Sequence, residues 1–112
     1  ELQQPSGIAF KDGRLWGVAM ASAVLYSIGK DGKMTESIRV PGTSLDGIVV
    51  DTDGDFLISS RETNAILKGG EKGPFSVLMK EVPTPGNIGL DRKRNRLLLP
   101  HVEEGRIQIL PL

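Results

Sequence analysis

Leu45-Asp46-Gly47-Ile48-Val49-Val50, then the turn Asp51-Thr52-Asp53-Gly54 and the run Asp55-Phe56-Leu57-Ile58, is the stretch on which the fold is decided. The same order of features occurs twice more. Pro5-Ser6-Gly7-Ile8-Ala9-Phe10 leads through Lys11-Asp12-Gly13 into Arg14-Leu15-Trp16-Gly17-Val18. Gly86-Asn87-Ile88-Gly89-Leu90 leads through Asp91–Asn95 into Arg96-Leu97-Leu98-Leu99. Ile8, Ile48 and Ile88 fall 40 residues apart each time. A third run follows in every unit, at Val24–Ile28, Ala65–Lys68 and Arg106–Leu110. A fourth follows in the first two units, at Met34–Val40 and Phe75–Lys80.

Every run is short, bounded by Gly, Pro, Asp or Asn, and several alternate apolar with polar residues. That is strand chemistry joined by hairpin turns, and no segment sustains a helical period. The runs Gly-Ile-Val-Val and Gly-Ile-Ala-Phe are continuously apolar, which predicts strands buried on both faces. Four strands repeating every 40 residues predict β-propeller blades. The fold class is therefore all-β, with about three four-stranded antiparallel blades. Their predicted spans are 5–43, 44–84 and 85–112, the last lacking its outer strand. Closed propellers have about 4–8 blades, so three amount to half of a six-bladed ring. The other half is expected either from further blades of a longer chain or from another copy of this one. Only Glu1–Gln4 is available at the start to complete the last blade.

Composition agrees and narrows the function classes. Gly and Pro supply twenty-one of 112 residues, a composition of turns. With no Cys there is no disulfide framework, thiolate metal site or Cys nucleophile, and no indication of compartment. Fourteen basic residues balance fourteen acidic ones, so nucleic acid and anionic membrane are not expected partners. No apolar run is long enough to span a membrane, and the first residues do not read as a signal peptide.

Blade geometry places the candidate site. First strands line the channel, so the residues just before them ring its mouth: Ser6, Asp46 and Asn87. The ends of the second strands join that rim with Ala19, Met20, Ser60, Arg61 and His101. Asp46 and Asn87 are oxygen donors of the kind that suit Ca²⁺, Mg²⁺ or Mn²⁺, and Ser6 is a third candidate donor. His101 is a candidate ligand or acid–base group, and Arg61 and Ser60 are candidate substrate contacts. Against this, Asp, Asn and Ser before a strand often hydrogen-bond their own turn. Asp51-Thr52-Asp53-Gly54-Asp55 has the opening of a Ca²⁺ loop, and Glu62 stands at its twelfth place. Because Phe56–Ser60 reads as strand, a hairpin turn is expected instead. Arg92–Arg96 reads as a solvated turn, Trp16 as packing between blades, and Pro83-Thr84-Pro85-Gly86 as a connector.

With blade and rim in hand, the sequence resembles the SMP-30/gluconolactonase/regucalcin-like family of six-bladed propellers. The likeness is carried by Leu45–Asp51 with Asp53–Ile58, by Pro5–Phe10, and by Gly86–Asp91 with Arg94–Pro100. The resemblance implies one divalent ion at the channel mouth, Ca²⁺ foremost, with Zn²⁺, Mn²⁺ or Mg²⁺ as alternatives. The family holds it with a Glu, an Asn and an Asp. The Asp matches Asp46, the Asn falls on Ser6, and the Glu belongs to a blade outside this sequence. The implied activity is hydrolysis of sugar lactones or esters, with Asp46 positioning or activating water. NHL-repeat propellers share the Pro-x-Gly-Ile-Ala pattern, so the alternative is a non-catalytic module that binds a protein, peptide or glycan.

Overall fold

The computed structural model describes residues 4–83 and 85–112. Glu1–Gln3 of the N-terminal segment and Thr84 of the connector lie outside the described residues. The first sheet holds β1 (Pro5–Lys11), β2 (Arg14–Ala19), β3 (Val24–Ile28) and β4 (Met34–Arg39). The second holds β5 (Leu45–Val50), β6 (Phe56–Ser60), β7 (Ala65–Gly69) and β8 (Ser76–Met79). The third holds β9 (Gly89–Asp91), β10 (Arg96–His101) and β11 (Arg106–Pro111). Each sheet is an antiparallel meander in chain order, and no helix occurs among the described residues. This is the all-β arc of propeller blades that the repeat implies.

Local chemistry explains the hairpins. Lys11 pairs with Arg14 across a two-residue loop, and Asp12 and Gly13 both take positive φ there. That is the type I′ condition, which Asp-Gly meets at low steric cost. In the second sheet Asp51 holds the turn with its own side chain. Its Oδ1 accepts the amides of Asp53 and Asp55, each at 2.9 Å. The Asp-rich segment is thus a hairpin turn, and β6 begins directly after it.

Packing follows from strand alternation. On β6, Phe56 and Ile58 point to one face and Leu57 to the other. Phe56 and Ile58 join Trp16, Val18, Leu25, Ile48 and Leu67 in a core between the first and second sheets. Trp16 stacks against Phe56 with ring centroids 5.1 Å apart. Leu57 joins Ile66, Ile88, Leu97 and Leu99 between the second and third. The second sheet is covered on both faces, which is why β6 carries no exposed position and reads as an unbroken apolar run. Fully burying each such side chain contributes roughly 1.5–3 kcal/mol.

Toward the channel the sheets meet backbone to backbone. A Cβ on Gly7 would lie 2.5 Å from the Asp46 carbonyl oxygen. A Cβ on Gly47 would lie 2.5 Å from the Ile88 amide nitrogen and 2.9 Å from the Asn87 Cα. No side chain fits at either place. Gly47→Ala is expected to lower stability in urea unfolding by about 1–3 kcal/mol, because the backbone it meets has nowhere to retreat. Gly13→Ala, where positive φ is the only obstacle, is expected to cost about 1 kcal/mol. Equal losses in the two variants would contradict the close approach of the inner strands.

Candidate functional site

The two glycine contacts bring three rim residues into one row. Ser6 and Asp46 occupy matching places 40 residues apart at the starts of adjacent inner strands, and Asn87, 40 residues after Gly47, stands at the glycine's place in the third unit. The Ser6 hydroxyl donates to the Leu45 carbonyl at 2.7 Å and lies 3.3 Å from that of Val18. It therefore stitches the first sheet to the second with its proton, while its oxygen lone pairs stay available. Asp46 is partly exposed, and its Oδ2 lies 3.9 Å from Arg61 Nη1, a loose ion pair at the mouth. The Arg61 amide is itself anchored on the Ser44 carbonyl at 3.0 Å. Asn87 is exposed, and its Oδ1 would stand 2.9 Å from a Cβ on Gly47.

Two other rim candidates lie inside the protein. Ser60 is fully buried and sits in a closed hydroxyl network. It accepts from the Thr43 amide at 3.1 Å and donates to the Thr43 carbonyl at 2.6 Å. Thr63 Oγ1 is a third neighbour at 2.5 Å. Its work is to fix the loop that enters β5. The His101 side chain is only 2% exposed. Its Nε2 lies 2.8 Å from Gln108 Oε1 on β11, and its backbone bridges to Pro85 of the connector. Its Nδ1 has no hydrogen-bond partner, with Glu104 Oε1 at 3.7 Å. Both side chains are buried and engaged by partners within the protein, Thr43 and Thr63 for Ser60 and Gln108 for His101.

The residue that the sequence reading passed over is Ser59. It is fully buried, accepts from the Gly47 amide at 2.8 Å and donates to the Gly86 carbonyl at 2.7 Å. This relay ties the strand start bearing Asp46 to the one bearing Asn87. The signal was present: two serines end a strand that is otherwise Phe56-Leu57-Ile58, and a buried hydroxyl requires a polar partner.

Wider clefts open elsewhere. On the turn face, one of about 490 Å³ is lined by Asp51, Lys68, Met79 and Leu110 among others. Another of about 600 Å³ is lined by Lys11, Asp12, Asp53, Asp55 and Arg92 among others. On the rim side a cleft of about 310 Å³ lies between Met20, Ser22, Thr43 and Glu62. None of these three is lined by Asp46. The Asp-rich turn already has a cation. Lys68 Nζ lies 3.2 Å from Oδ2 of both Asp51 and Asp53. Hydrogen bonds to Asp53 and then Asp51 hold its ammonium group above the ordinary lysine pKa. At the opposite sign, the Arg96 guanidinium, helped by the Arg94 amide and side chain, holds Asp91 below the usual carboxylate range.

No family model and no curated protein sequence matches the chain. Solved structures do. A gluconolactonase from Xanthomonas campestris superposes with a TM-score of 0.74 at 23% identity, over 100% of this chain and 39% of that one. A virginiamycin B lyase from Staphylococcus aureus gives 0.67 at 18%, over 96% and 41%. A chain of the nidogen–laminin complex gives 0.73 at 19%, over 94% and 47%. At these identities the likeness is one of fold. The chain is a propeller segment spanning about two-fifths to a half of each of those chains.

Two outcomes follow. Ser59→Ala leaves the Gly47 amide and the Gly86 carbonyl without their partner, and is expected to lower stability by about 1–3 kcal/mol. A change below 0.5 kcal/mol (roughly the level of a surface substitution) would remove the relay from the account. The Lys68 pKa is raised on folding, so its contribution is complete below the ordinary value of 10.5 and is lost as pH climbs through the raised one. The stability difference between wild type and Lys68→Met is expected to shrink above that pH in unfolding titrations. A difference independent of pH would refute the clamp.

Proposed function

We propose that the chain supplies half of a propeller hydrolase acting on sugar lactones or related esters, its chemistry placed where β1, β5 and β9 begin. One observation carries the reading: Arg61 stands beside the partly exposed Asp46, and Asn87 lies against Gly47, the next residue of that strand. The fold likeness to a gluconolactonase supports it.

The expected divalent ion fits these residues only in part. Asp46 offers the one carboxylate of the three, Asn87 an amide oxygen and Ser6 a hydroxyl oxygen whose proton goes to the Leu45 carbonyl. Ca²⁺ takes about 6–8 oxygen ligands. Among the described residues no three His, Cys, Asp or Glu side chains come together in a way that could hold a metal. A bound ion would need donors from beyond this chain, so no step is routed through one.

The chain's own groups perform a simpler sequence. Asp46 takes a proton from water as the water oxygen attacks the lactone carbonyl carbon. The carbonyl oxygen gains negative charge, which Arg61 faces. The ring C–O bond then breaks, and the departing oxygen recovers a proton to give the hydroxy acid. Asn87 orients a substrate hydroxyl. This reaction sequence assigns no step to Ser60 or His101, both buried.

In the assembled ring, Asp46→Asn is expected to lower kcat for hydrolysis of a sugar δ-lactone by about 100-fold or more. Asn87→Ala is expected to act mainly on KM. Hydrolysis unchanged by Asp46→Asn, or none by the wild-type ring, would overturn the reading.

A second reading has its own support. The likeness to a chain of the nidogen–laminin complex, with the burial of Ser60 and His101, suits a non-catalytic module binding a protein, peptide or glycan at the same rim. Ca²⁺, Mn²⁺ or Zn²⁺ raising the thermal midpoint, and losing that effect in Asp46→Ala, favours the hydrolase. No shift favours the binding module.

A further inference from the structure

The rim-side cleft of about 310 Å³ lies between loops of the first two sheets, each of which is a complete four-stranded meander. Met20, Ser22 and Ala23 line it from the loop between β2 and β3. Thr43 and Ser44, which lead into β5, and Glu62, which follows β6, line it from the other side. Among the described residues, the side chains of Ser22, Thr43, Ser44 and Glu62 enter no hydrogen bond or ion pair. Three hydroxyls and a carboxylate are therefore left unspent at one place.

The backbone behind them is held rigidly. Buried Ser60 accepts from the Thr43 amide at 3.1 Å and donates to the Thr43 carbonyl at 2.6 Å. The Ser44 carbonyl accepts the Arg61 amide at 3.0 Å. Ser44 itself stands at φ 51°, in the left-handed region where a side chain is strained. Gln4, 40 residues earlier, turns the same way at φ 55°, so entry to an inner strand requires this turn. Glycine would meet the requirement without steric cost, yet the chain carries a hydroxyl there, on a wall of the cleft.

The lining selects a class of ligand. Hydroxyls both donate and accept, and a carboxylate takes paired hydroxyl protons in charge-assisted bonds. With the apolar surface of Met20 and Ala23, these groups complement a sugar ring, apolar on its C–H face and hydroxylated at its edge. An anionic ligand would meet Glu62 and no cation in the lining. The volume of about 310 Å³ is at the small end of the roughly 300–1,000 Å³ of ligand pockets, which suits one ring and not a longer glycan. The cleft also adjoins the candidate site. Ser44 stands two residues before Asp46, Glu62 follows Arg61, and Arg61 joins the two segments through the Ser44 carbonyl and its 3.9 Å approach to Asp46. We propose that the cleft is a subsite for one sugar ring, linked in the substrate to the lactone on which Asp46 acts. The substrate class is then a disaccharide lactone, formed by oxidising a disaccharide at its reducing end. That class rests on the hydrolase reading, whereas the sugar subsite does not.

In the assembled ring, cellobiose, maltose and lactose probe the cleft without being lactones, and their oxidised δ-lactones are compared with glucono-δ-lactone. At least one disaccharide is expected to shift the amide resonances of residues 20–23, 43–44 and 62. Its lactone is expected to exceed glucono-δ-lactone in kcat/KM by about 10-fold, the difference lying in KM. Ser44→Gly and Glu62→Gln are each expected to weaken disaccharide binding by about 3- to 10-fold, the worth of one hydrogen bond. Ser44→Gly removes the backbone strain together with the hydroxyl, so its thermal midpoint is expected to hold or rise, which separates a lost contact from a lost fold. Disaccharide bound in the cleft with no lactone hydrolysed would uphold the subsite and overturn the hydrolase. Glucono-δ-lactone hydrolysed with no disaccharide bound would do the reverse. Disaccharide binding indifferent to both variants, or no disaccharide bound at all, would overturn the subsite whatever the lactones show.

Discussion

The contact on which the structure depends is backbone against backbone, where Gly7 meets Asp46 and Gly47 meets Asn87 and Ile88. At these two places successive inner strands come so close that an added Cβ would fall within 2.5 Å of the next strand's main chain. The approach sets the spacing of the sheets toward the channel. Farther out, large side chains fill the widening gap: Trp16 against Phe56 between the first two sheets, and Leu57 against Leu97 and Leu99 between the next two. Small at the centre and large outside is the taper of a wedge, and wedges stacked side by side make an arc.

The same contact decides which polar groups remain for chemistry. Drawing strand starts together buries amides and carbonyls that must find partners. Ser6 and Ser59 supply them, one on Leu45 and the other between Gly47 and Gly86. Their hydroxyl protons are absorbed by the scaffold. What projects from the row is Asp46 with Arg61, and Asn87. On the far side of the sheets the acidic turn is likewise internally matched, by Lys68. Its Ca²⁺-loop pattern is answered by an ammonium group.

The strands, hairpins and stacking order were legible because each rests on local rules. Alternation marks a strand and Asp12-Gly13 marks a tight turn, whereas of the two inner runs expected to be buried on both faces, Gly7–Phe10 leaves Ile8 and Phe10 exposed. The pairing of Ser6 with Asp46 was legible because it follows from the 40-residue period, which sets Asn87 at the place of Gly47. The fates of Ser60 and His101 were not. Both end a second strand, as a rim residue should, but both are buried, and Thr43 and Gln108 meet them. A change of one residue in register would not have freed Ser60, since Ser59 is buried as well, and no local feature of Ser60 or His101 declares that a partner claims it. Ser59 was overlooked for the converse reason. It looks like an ordinary strand residue until the Gly47 amide and the Gly86 carbonyl, 12 and 27 residues away, are brought to it.

The amino-acid sequence by itself determined the period, the blade and the row of residues at the strand starts, because these depend on spacing along the chain and on the conformational freedom of glycine. Tertiary structure alone decided which donors and acceptors are consumed. A hydroxyl or an imidazole is free only if no buried amide or carbonyl from another sheet has claimed it.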